Sequence, residues 1–320
     1  MSARQPRQAR GLRSSPATPL AAGAAAACLA RAAYAALSRR PPGGRDLGTR
    51  TNHRGEPVTL VEGPALAVAS VAVSAIGPGL APRVRAALAV AGAGSAAFGG
   101  YDDLAGSGSR RGFRGHLGAL AQGEVTTGAI KLGGIGATGL VSAMLLGRGP
   151  ADVAVNAGLA AGGANLLNLF DLRPGRALKV ALASGTLLAA GGARGGLSPV
   201  GALSALAAPL GAAAALLPED LGERAMLGDA GANALGALLG VAAATSLSRP
   251  ARLVLLAAIT GLTAASEVVS FTSVIERTPA LRWLDMLGRR PVPAAPVSGR
   301  DDPPPAEPRE AGASAAATSP

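Results

Sequence analysis

The stretch AGANALGALLGVAAATSLS, residues Ala230–Ser248, carries no Asp, Glu, Lys or Arg. A helix at the surface of a soluble protein presents a polar face to water at nearly every turn. This stretch has no charged residue with which to form such a face. The same is true of Gly195–Pro218. These two segments favour a protein embedded in a bilayer over the alternative, a soluble Ala-rich helical bundle.

Charge is scarce along most of the chain. Its 320 residues are 49% hydrophobic, 2% aromatic and 15% charged, whereas about 25% of the residues in a typical soluble domain are charged. Two more apolar segments contain a single charge each, Pro16–Ser38 with Arg31 and Leu253–Ile275 with Glu267. The other charge-free windows are Gly63–Pro82, Ala86–Tyr101, Leu132–Gly147, Val153–Phe170 and Val180–Ala193.

A helix that crosses the hydrocarbon core needs about 20 apolar residues. The shorter windows would extend into neutral or snorkelling flanks. We therefore predict an all-α fold, a polytopic transmembrane bundle of about nine helices that occupies residues 16–290. Because the windows are rich in Ala and Gly, we expect close helix packing.

The two ends of the chain differ from this core in composition. Residues 1–15 form a basic tail, and the apolar segment after it could be a signal peptide. A retained first helix is favoured, because the segment contains Arg31 and leads into an Arg-rich loop without a clear cleavage site. Residues 291–320 are rich in Pro and Ala, which predicts a disordered tail. The lone Cys28 excludes an internal disulfide.

Nine alternating crossings would place five segments on one side of the membrane: 39–62, 101–127, 170–179, 218–229 and 276–320. Most of the 30 Lys and Arg residues lie there, which predicts a cytoplasmic location, although the arginines of the N-terminal tail count against it. Of the 19 Asp and Glu residues, only Asp152 and Glu267 lie elsewhere. This concentration of acids predicts a working face in the cytoplasm.

The net charge of +11 suits contact with anionic headgroups or phosphates. It does not indicate nucleic acid as a partner, since the chain has no soluble basic domain. The first segment contains RTNHRGEPVTLVEG, residues Arg50–Gly63. Its basic, Gly-containing sequence and His53 could hold a phosphate, although an ordinary juxtamembrane loop would have a similar composition.

Two adjacent acids, Asp102 and Asp103, end an apolar window in the second segment. Acids at membrane depth are costly and usually functional, and paired carboxylates suit Mg²⁺, which takes oxygen ligands and commonly shares substrate phosphates. The alternative is a helix-terminal pair that faces water. Arg114, His116 and Lys131 follow, and their cationic or imidazole groups could contact phosphates. Alternatively, Lys131 could extend its ammonium group to the membrane surface while its alkyl chain stays in the apolar region.

The third and fourth segments contribute amides and further carboxylates. Asn165, Asn168 and Asp171 recur at a spacing of three, which places them on one face of a helix. Such a stripe needs hydrogen-bonding partners in lipid, which could be a ligand or a neighbouring helix. Asp229 begins an apolar helix between small residues. It could cap that helix, and this role is compatible with metal binding.

In this order, the motifs resemble those of the polyprenyl-phosphate N-acetylhexosamine-1-phosphate transferases, the family of phospho-N-acetylmuramoyl-pentapeptide transferase. Asp102–Asp103 resembles the family's paired aspartates, and Gly228-Asp229-Ala230-Gly231 its Gly-Asp-x-Gly motif. Asn165-x-x-Asn168-x-x-Asp171 resembles its third motif. Lys131 matches a phosphate-contacting lysine, and the stretch from His53 to Gly63 is similar to its first cytoplasmic loop.

The resemblance implies transfer of a sugar-1-phosphate from a UDP-sugar to a membrane polyprenyl phosphate, with release of UMP, in cell-envelope glycan synthesis. Asp229 and Asp103 would hold Mg²⁺, with Mn²⁺ as a substitute, and Asp102 would be the candidate base. The other motif residues would bind substrates, and a homodimer is compatible with the family. The predicted substrate-binding residues are His53, Arg114, His116, Lys131, Asn165, Asn168 and Asp171.

Three departures from the family pattern motivate an alternative. Pro174 stands where the family continues its third motif toward a second Asp, a His cluster is missing after Leu287, and a tenth helix is absent. The alternative is a catalytically inactive member that binds polyprenyl lipid or an envelope-assembly partner. A small-solute transporter is disfavoured, because its polar groups should lie near mid-membrane.

Overall fold

The computed structural model describes residues 17–44, 46–106, 112–147, 149–192 and 199–291. The described chain is a bundle of α-helices with one short antiparallel hairpin, β1 and β2, in the first polar segment. The elements are α1 Ala17–Arg39, β1 Thr49–Thr51, β2 Pro57–Thr59, α2 Glu62–Ile76, α3 Pro82–Ala105, α4 Gly112–Ala121, α5 Thr127–Leu145, α6 Pro150–Phe170, α7 Arg176–Gly192, α8 Pro199–Leu221, α9 Gly228–Ser246, α10 Arg249–Ser266, α11 Phe271–Arg277 and α12 Pro279–Met286. The all-α prediction is confirmed for this part of the chain.

Several helices begin at a proline, which fixes the backbone angle of the first turn and lacks an N–H that would otherwise be unsatisfied there. Pro82, Pro150, Pro250 and Pro279 occupy this position in α3, α6, α10 and α12. The hairpin turns at Gly55, whose φ of 82° suits glycine. The sequence interpretation missed this hairpin.

Each of the nine apolar windows contains a helix, and the last contains α10 and α11. Among the residues that the structure describes, four helices are long and apolar enough to cross a membrane, α1, α5, α6 and most of α8, and the pair α10–α11 would be a fifth. The predicted count of nine crossings is therefore not confirmed. The remaining windows contain shorter or more polar helices, such as α2 and α9, and α9 is enclosed by protein.

Helix α9 is the centre of the bundle. All of its residues from Ala230 to Ser246 are buried, and it packs against α2, α3, α6, α7 and α8. Glycines permit the closest approach to α6, since a Cβ at Gly236 or Gly240 would overlap the carbonyl oxygen of Gly163 or Leu159. The small residues lower the hydropathy of this segment, but they allow the backbones of α9 and α6 to come into contact.

At the far end of α6, Arg252 of α10 is 2% exposed. Its Nη2 lies 2.9 Å from Asp152 Oδ1 and its Nη1 donates to Asn156 Oδ1 at 2.7 Å. These contacts, the Arg252 clamp, account for Asp152, one of the two acids that lie outside the five polar segments. The clamp fastens the start of α10, a helix whose other residues are mostly exposed, to the rest of the bundle.

The close α6–α9 contact leads to a packing prediction. We expect Gly240→Ala to destabilise the protein by about 1–3 kcal/mol, because the added methyl group has no space. Gly136→Ala is the matched control, since a Cβ at Gly136 of α5 meets open space and alanine favours the helix by up to about 1 kcal/mol. Thermal unfolding of both variants in the same detergent would measure the difference. Equal midpoints would show that the two helices can separate without cost.

Candidate active site

The centre of the candidate site is the ammonium group of Lys131, near the start of α5. Its Nζ lies 2.6 Å from Asp102 Oδ2 and 2.5 Å from Asp229 Oδ2. Asp102 belongs to the last turn of α3, and Asp229 to the first turn of α9. Three segments distant in sequence therefore meet at one cation. The two acids predicted to share a site lie close enough to do so.

Asp103 faces the backbone of α9. Its Oδ1 accepts from the N–H of Asp229 at 3.0 Å, and its Oδ2 from the N–H of Ala230 at 2.9 Å. The carboxylate thus accepts hydrogen bonds from N–H groups that have no partner within the helix. Its negative charge also interacts favourably with the positive end of the helix dipole. Gly228 makes this approach possible with a φ of 63°, and a Cβ there would lie 3.0 Å from Asp103 Oδ2. A guanidinium N–H of Arg50 also donates to the carbonyl oxygen of Asp103.

The first and fourth polar segments are joined through Glu223. Its two carboxylate oxygens accept from Asn52 Nδ2 and from Arg54 Nε, each at 2.8 Å. His53 Nδ1 lies 3.7 Å from the same carboxylate. Burial lowers the pKa of His53, and the charge of Glu223 opposes this shift only in part. His53 is therefore a neutral imidazole at physiological pH.

His53 and Asp171 line one cavity of about 100 Å³, together with Arg173 and Asp220. Asp171 directly follows α6. Enclosure by protein, followed by the negative charges of Asp220, Asp229 and Asp103, raises the pKa of Asp171 well above its usual value. The cavity therefore holds a carboxyl group that keeps its proton unusually strongly.

Asn165 and Asn168 line a second and larger space. This groove, of about 640 Å³, runs between α5, α6 and α10, and Lys131 forms part of its wall. Its lining is mostly Gly, Leu, Ile, Thr and Ala. The predicted stripe is thus divided: the two asparagines face the groove, whereas Asp171 faces the polar cavity.

Other polar residues complete this face, and the sequence interpretation did not single them out. Asp220 is 3% exposed and accepts from the N–H of Gly175 at 3.0 Å. Glu62, at the start of α2, is fully buried, and neither of its carboxylate oxygens has a hydrogen-bond partner among the described residues. The acids in all five polar segments were the available signal. Which of them would be buried depends on packing that one sequence does not reveal.

The last polar segment joins the first and the third through ion pairs that involve Glu56, Arg173 and Arg176. Arg176, at the start of α7, donates to both oxygens of Asp285, at 2.7 and 3.1 Å. Arg290 Nη1 lies 2.5 Å from Glu56 Oε2. The described parts of all five segments predicted to share a side therefore lie at one end of the bundle. Arg114 and His116 fall on α4, but their side chains lie outside the described part of the structure.

The donor groups suit one kind of metal site. Among the described residues, His, Cys, Asp and Glu form no group of three or more with the geometry to hold a metal ion. Asp102 and Asp229 still converge on one point, and Mg²⁺ commonly uses one or two carboxylates together with substrate phosphates. The pair fits a divalent cation that arrives with a phosphorylated substrate. Asp103, whose oxygens accept backbone hydrogen bonds, remains a predicted ligand.

No model of a known protein family matches this sequence, and neither does any curated protein. The resemblance to sugar-1-phosphate transferases therefore rests on the motif residues, their spacing and their order.

The raised pKa of Asp171 leads to a prediction on stability and pH. The folded protein holds this proton to a higher pH than the unfolded chain, so its contribution to stability falls as the pH rises above the ordinary aspartate value of 3.8. Asp171→Asn keeps the shape and cannot ionise. We expect the variant to gain thermal stability over the wild type as the buffer becomes more alkaline.

The measurement is a series of thermal unfolding curves across pH, with a chelator present to remove divalent cations. Asp46→Asn, at an exposed position, is the control and should show no such trend. A stability difference between variant and wild type that stays constant across the pH series would contradict the prediction.

Proposed function

We propose that the protein transfers a sugar-1-phosphate from a UDP-sugar to a membrane polyprenyl phosphate and releases UMP. The observation that carries this proposal is the meeting of an apolar groove with a cluster of charged groups at Lys131. A lipid phosphate needs both environments at once, a channel for its hydrocarbon and a cation for its head.

The groove suits the lipid. Its apolar lining lies between α5, α6 and α10, and two of these helices are candidate membrane spans by themselves. A volume of about 640 Å³ lies within the range of about 300–1,000 Å³ that is usual for ligand pockets, so it would receive the part of the chain next to the phosphate. The remaining isoprene units would extend into the bilayer.

Lys131 would hold the phosphate head. In the structure its ammonium is shared by two carboxylates, and an arriving phosphate would compete for that charge. Asn165 and Asn168 could donate amide hydrogen bonds to the same head from the groove wall. The family resemblance gives Lys131 the same task.

The chemistry is an exchange of phosphoanhydride partners. An oxygen of the lipid phosphate bonds to the sugar-linked phosphorus of the UDP-sugar, the bond from that phosphorus to the bridging oxygen breaks, and UMP leaves with that oxygen. The lipid phosphate is largely ionised at neutral pH, so a base is a small requirement. Asp102, held as a carboxylate by Lys131, is positioned to accept any remaining proton.

Both reactants are anions, so their approach needs positive charge. A divalent cation, when bound, would neutralise phosphate charge and align the two groups. Asp229 would hold Mg²⁺ or Mn²⁺ together with the substrate phosphates, and Asp103, the second predicted ligand, fixes the start of α9 beside it. The chain's own contribution is Lys131, which would keep the phosphates and the carboxylates from repelling one another.

The polar cavity would receive the nucleotide end of the donor. Its lining combines a neutral His53, the cation Arg173 and the carboxyl group of Asp171, a set that can both donate and accept hydrogen bonds. A cavity of about 100 Å³ would hold a portion of the nucleotide. We place this face in the cytoplasm of the cell that makes the envelope, as the distribution of Lys and Arg predicts.

A second candidate is a lipid-binding protein without transferase activity. The absence of a three-ligand metal group among the described residues and Pro174 in the wall of the polar cavity favour it. It shares the groove and Lys131 with the first candidate, and differs in having no donor substrate.

Purified full-length protein in lipid, given polyprenyl phosphate, Mg²⁺ and a panel of UDP-sugars, should release UMP with at least one donor. Asp229→Asn should abolish this release, because it removes charge from the shared cation site. Asp46→Asn, at an exposed position between α1 and β1, should leave it unchanged. Lipid binding with no UMP from any donor would favour the second candidate.

The groove can be tested separately from the chemistry. Thr260 lines it, and Thr260→Phe should raise the KM for polyprenyl phosphate several-fold while that for the donor changes little. Leu262→Phe is the matched control, because Leu262 is 44% exposed on the same helix and is not among the residues that line the groove. Equal effects of the two substitutions on the lipid KM would rule the groove out as the lipid site.

A further inference from the structure

Helix α12 presents its polar side to the protein. Asp285 is 9% exposed and accepts from Arg176, at 2.7 and 3.1 Å, and from Arg289, at 2.8 Å. Lys179 Nζ donates to the carbonyl oxygens of Leu284 and Asp285, at 3.1 and 2.7 Å. Salt bridges and hydrogen bonds, rather than apolar packing, thus hold this helix on the bundle.

Its apolar side faces outward. Ala280, Trp283 and Leu284 lie on one helix face, spaced i, i+3 and i+4, and Leu287 extends that face just past the helix end. The side chains of Trp283, Leu284 and Leu287 are 65%, 51% and 54% exposed. A surface helix in water buries its apolar face against the core, so this arrangement is reversed. An apolar face left open in this way suits contact with lipid or with a protein partner.

The preceding helices bear on how α11 lies, and α12 follows it closely in the chain. The axes of α10 and α11 meet at 93°. If α10 crosses the membrane, α11 runs along the membrane plane, and α12 begins two residues after α11 ends. Both arginines of this region that have no ion pair among the described residues, Arg277 and Arg282, are exposed.

We propose that α12 is an interfacial membrane anchor, whose outward face enters the headgroup boundary of an anionic bilayer. Tryptophan concentrates at this depth, and short amphipathic segments bind there when exposed cations meet anionic headgroups. Arg277 and Arg282 supply those cations. A second copy of the chain is a poorer occupant, since a stable protein interface buries about 800 Å² per partner and α12 is a helix of eight residues.

The anchor also concerns the candidate site, because the residues that hold α12 belong to the site face. Arg289 contacts both Asp285 and His53, and Arg176 directly follows the cavity residues of the third segment. The anchor would fix the height of that face relative to the lipid headgroups. This inference does not depend on transferase activity.

Trp283 is the only tryptophan in the chain, so intrinsic fluorescence reports on this face alone. Full-length protein would be reconstituted in vesicles of phosphatidylcholine and phosphatidylglycerol, with or without acyl-chain bromination. We expect strong quenching by the brominated lipid and weak quenching by aqueous acrylamide. The matched control combines Trp283→Phe with Asp46→Trp, which moves the reporter to an exposed position of the first polar segment and should reverse both results.

A second experiment tests whether the two arginines contribute to membrane binding. Arg277→Gln together with Arg282→Gln should increase acrylamide access to Trp283 several-fold in anionic vesicles, and should change it little in pure phosphatidylcholine. Acrylamide quenching of Trp283 equal to that of the control would overturn the anchor, since the face would then lie in water. Protection of Trp283 from both quenchers would also overturn it, because protein would then cover the face.

Discussion

One ammonium group between two carboxylates organises the polar end of this bundle. Asp102 and Asp229 approach each other because Lys131 lies between them, and each stands at the end of a long charge-free stretch. Without that cation, two partly buried negative charges would repel one another in surroundings that screen them poorly. The same contact ties α3, α5 and α9 together, so the site and the fold depend on one interaction.

The rest of the bundle places these three groups. Small residues let α9 lie against α6 at backbone distance, and the Arg252 clamp secures α10 at the end remote from Lys131. The groove between α5, α6 and α10 follows from this geometry, since α10 packs on α6 alone among the helices that border the groove. The apolar and polar halves of the candidate site thus come from the same few helix contacts.

The sequence predicted what depends on composition and spacing. Long charge-free windows predicted the helices, and the acids in alternate loops predicted a common polar face with Asp102 near Asp229. It did not predict the hairpin at Gly55 or the buried carboxylates of Glu62 and Asp220, because these depend on which loops pack on which. Periodicity also could not reveal the orientation of α12. It shows that the helix has one polar and one apolar face, but it does not show which of the two packs against the rest of the protein.

The contact between Asp103 and the start of α9 has a consequence for the interpretation of mutants. The Asp103 carboxylate lies in the last turn of α3 and accepts hydrogen bonds from the first N–H groups of α9. It is therefore part of the scaffold, in addition to any role in binding. Replacing it would loosen the joint between α3 and α9 and displace Asp229 at the same time. Loss of activity at Asp103 therefore cannot by itself identify a metal ligand, and a folding measurement has to accompany it.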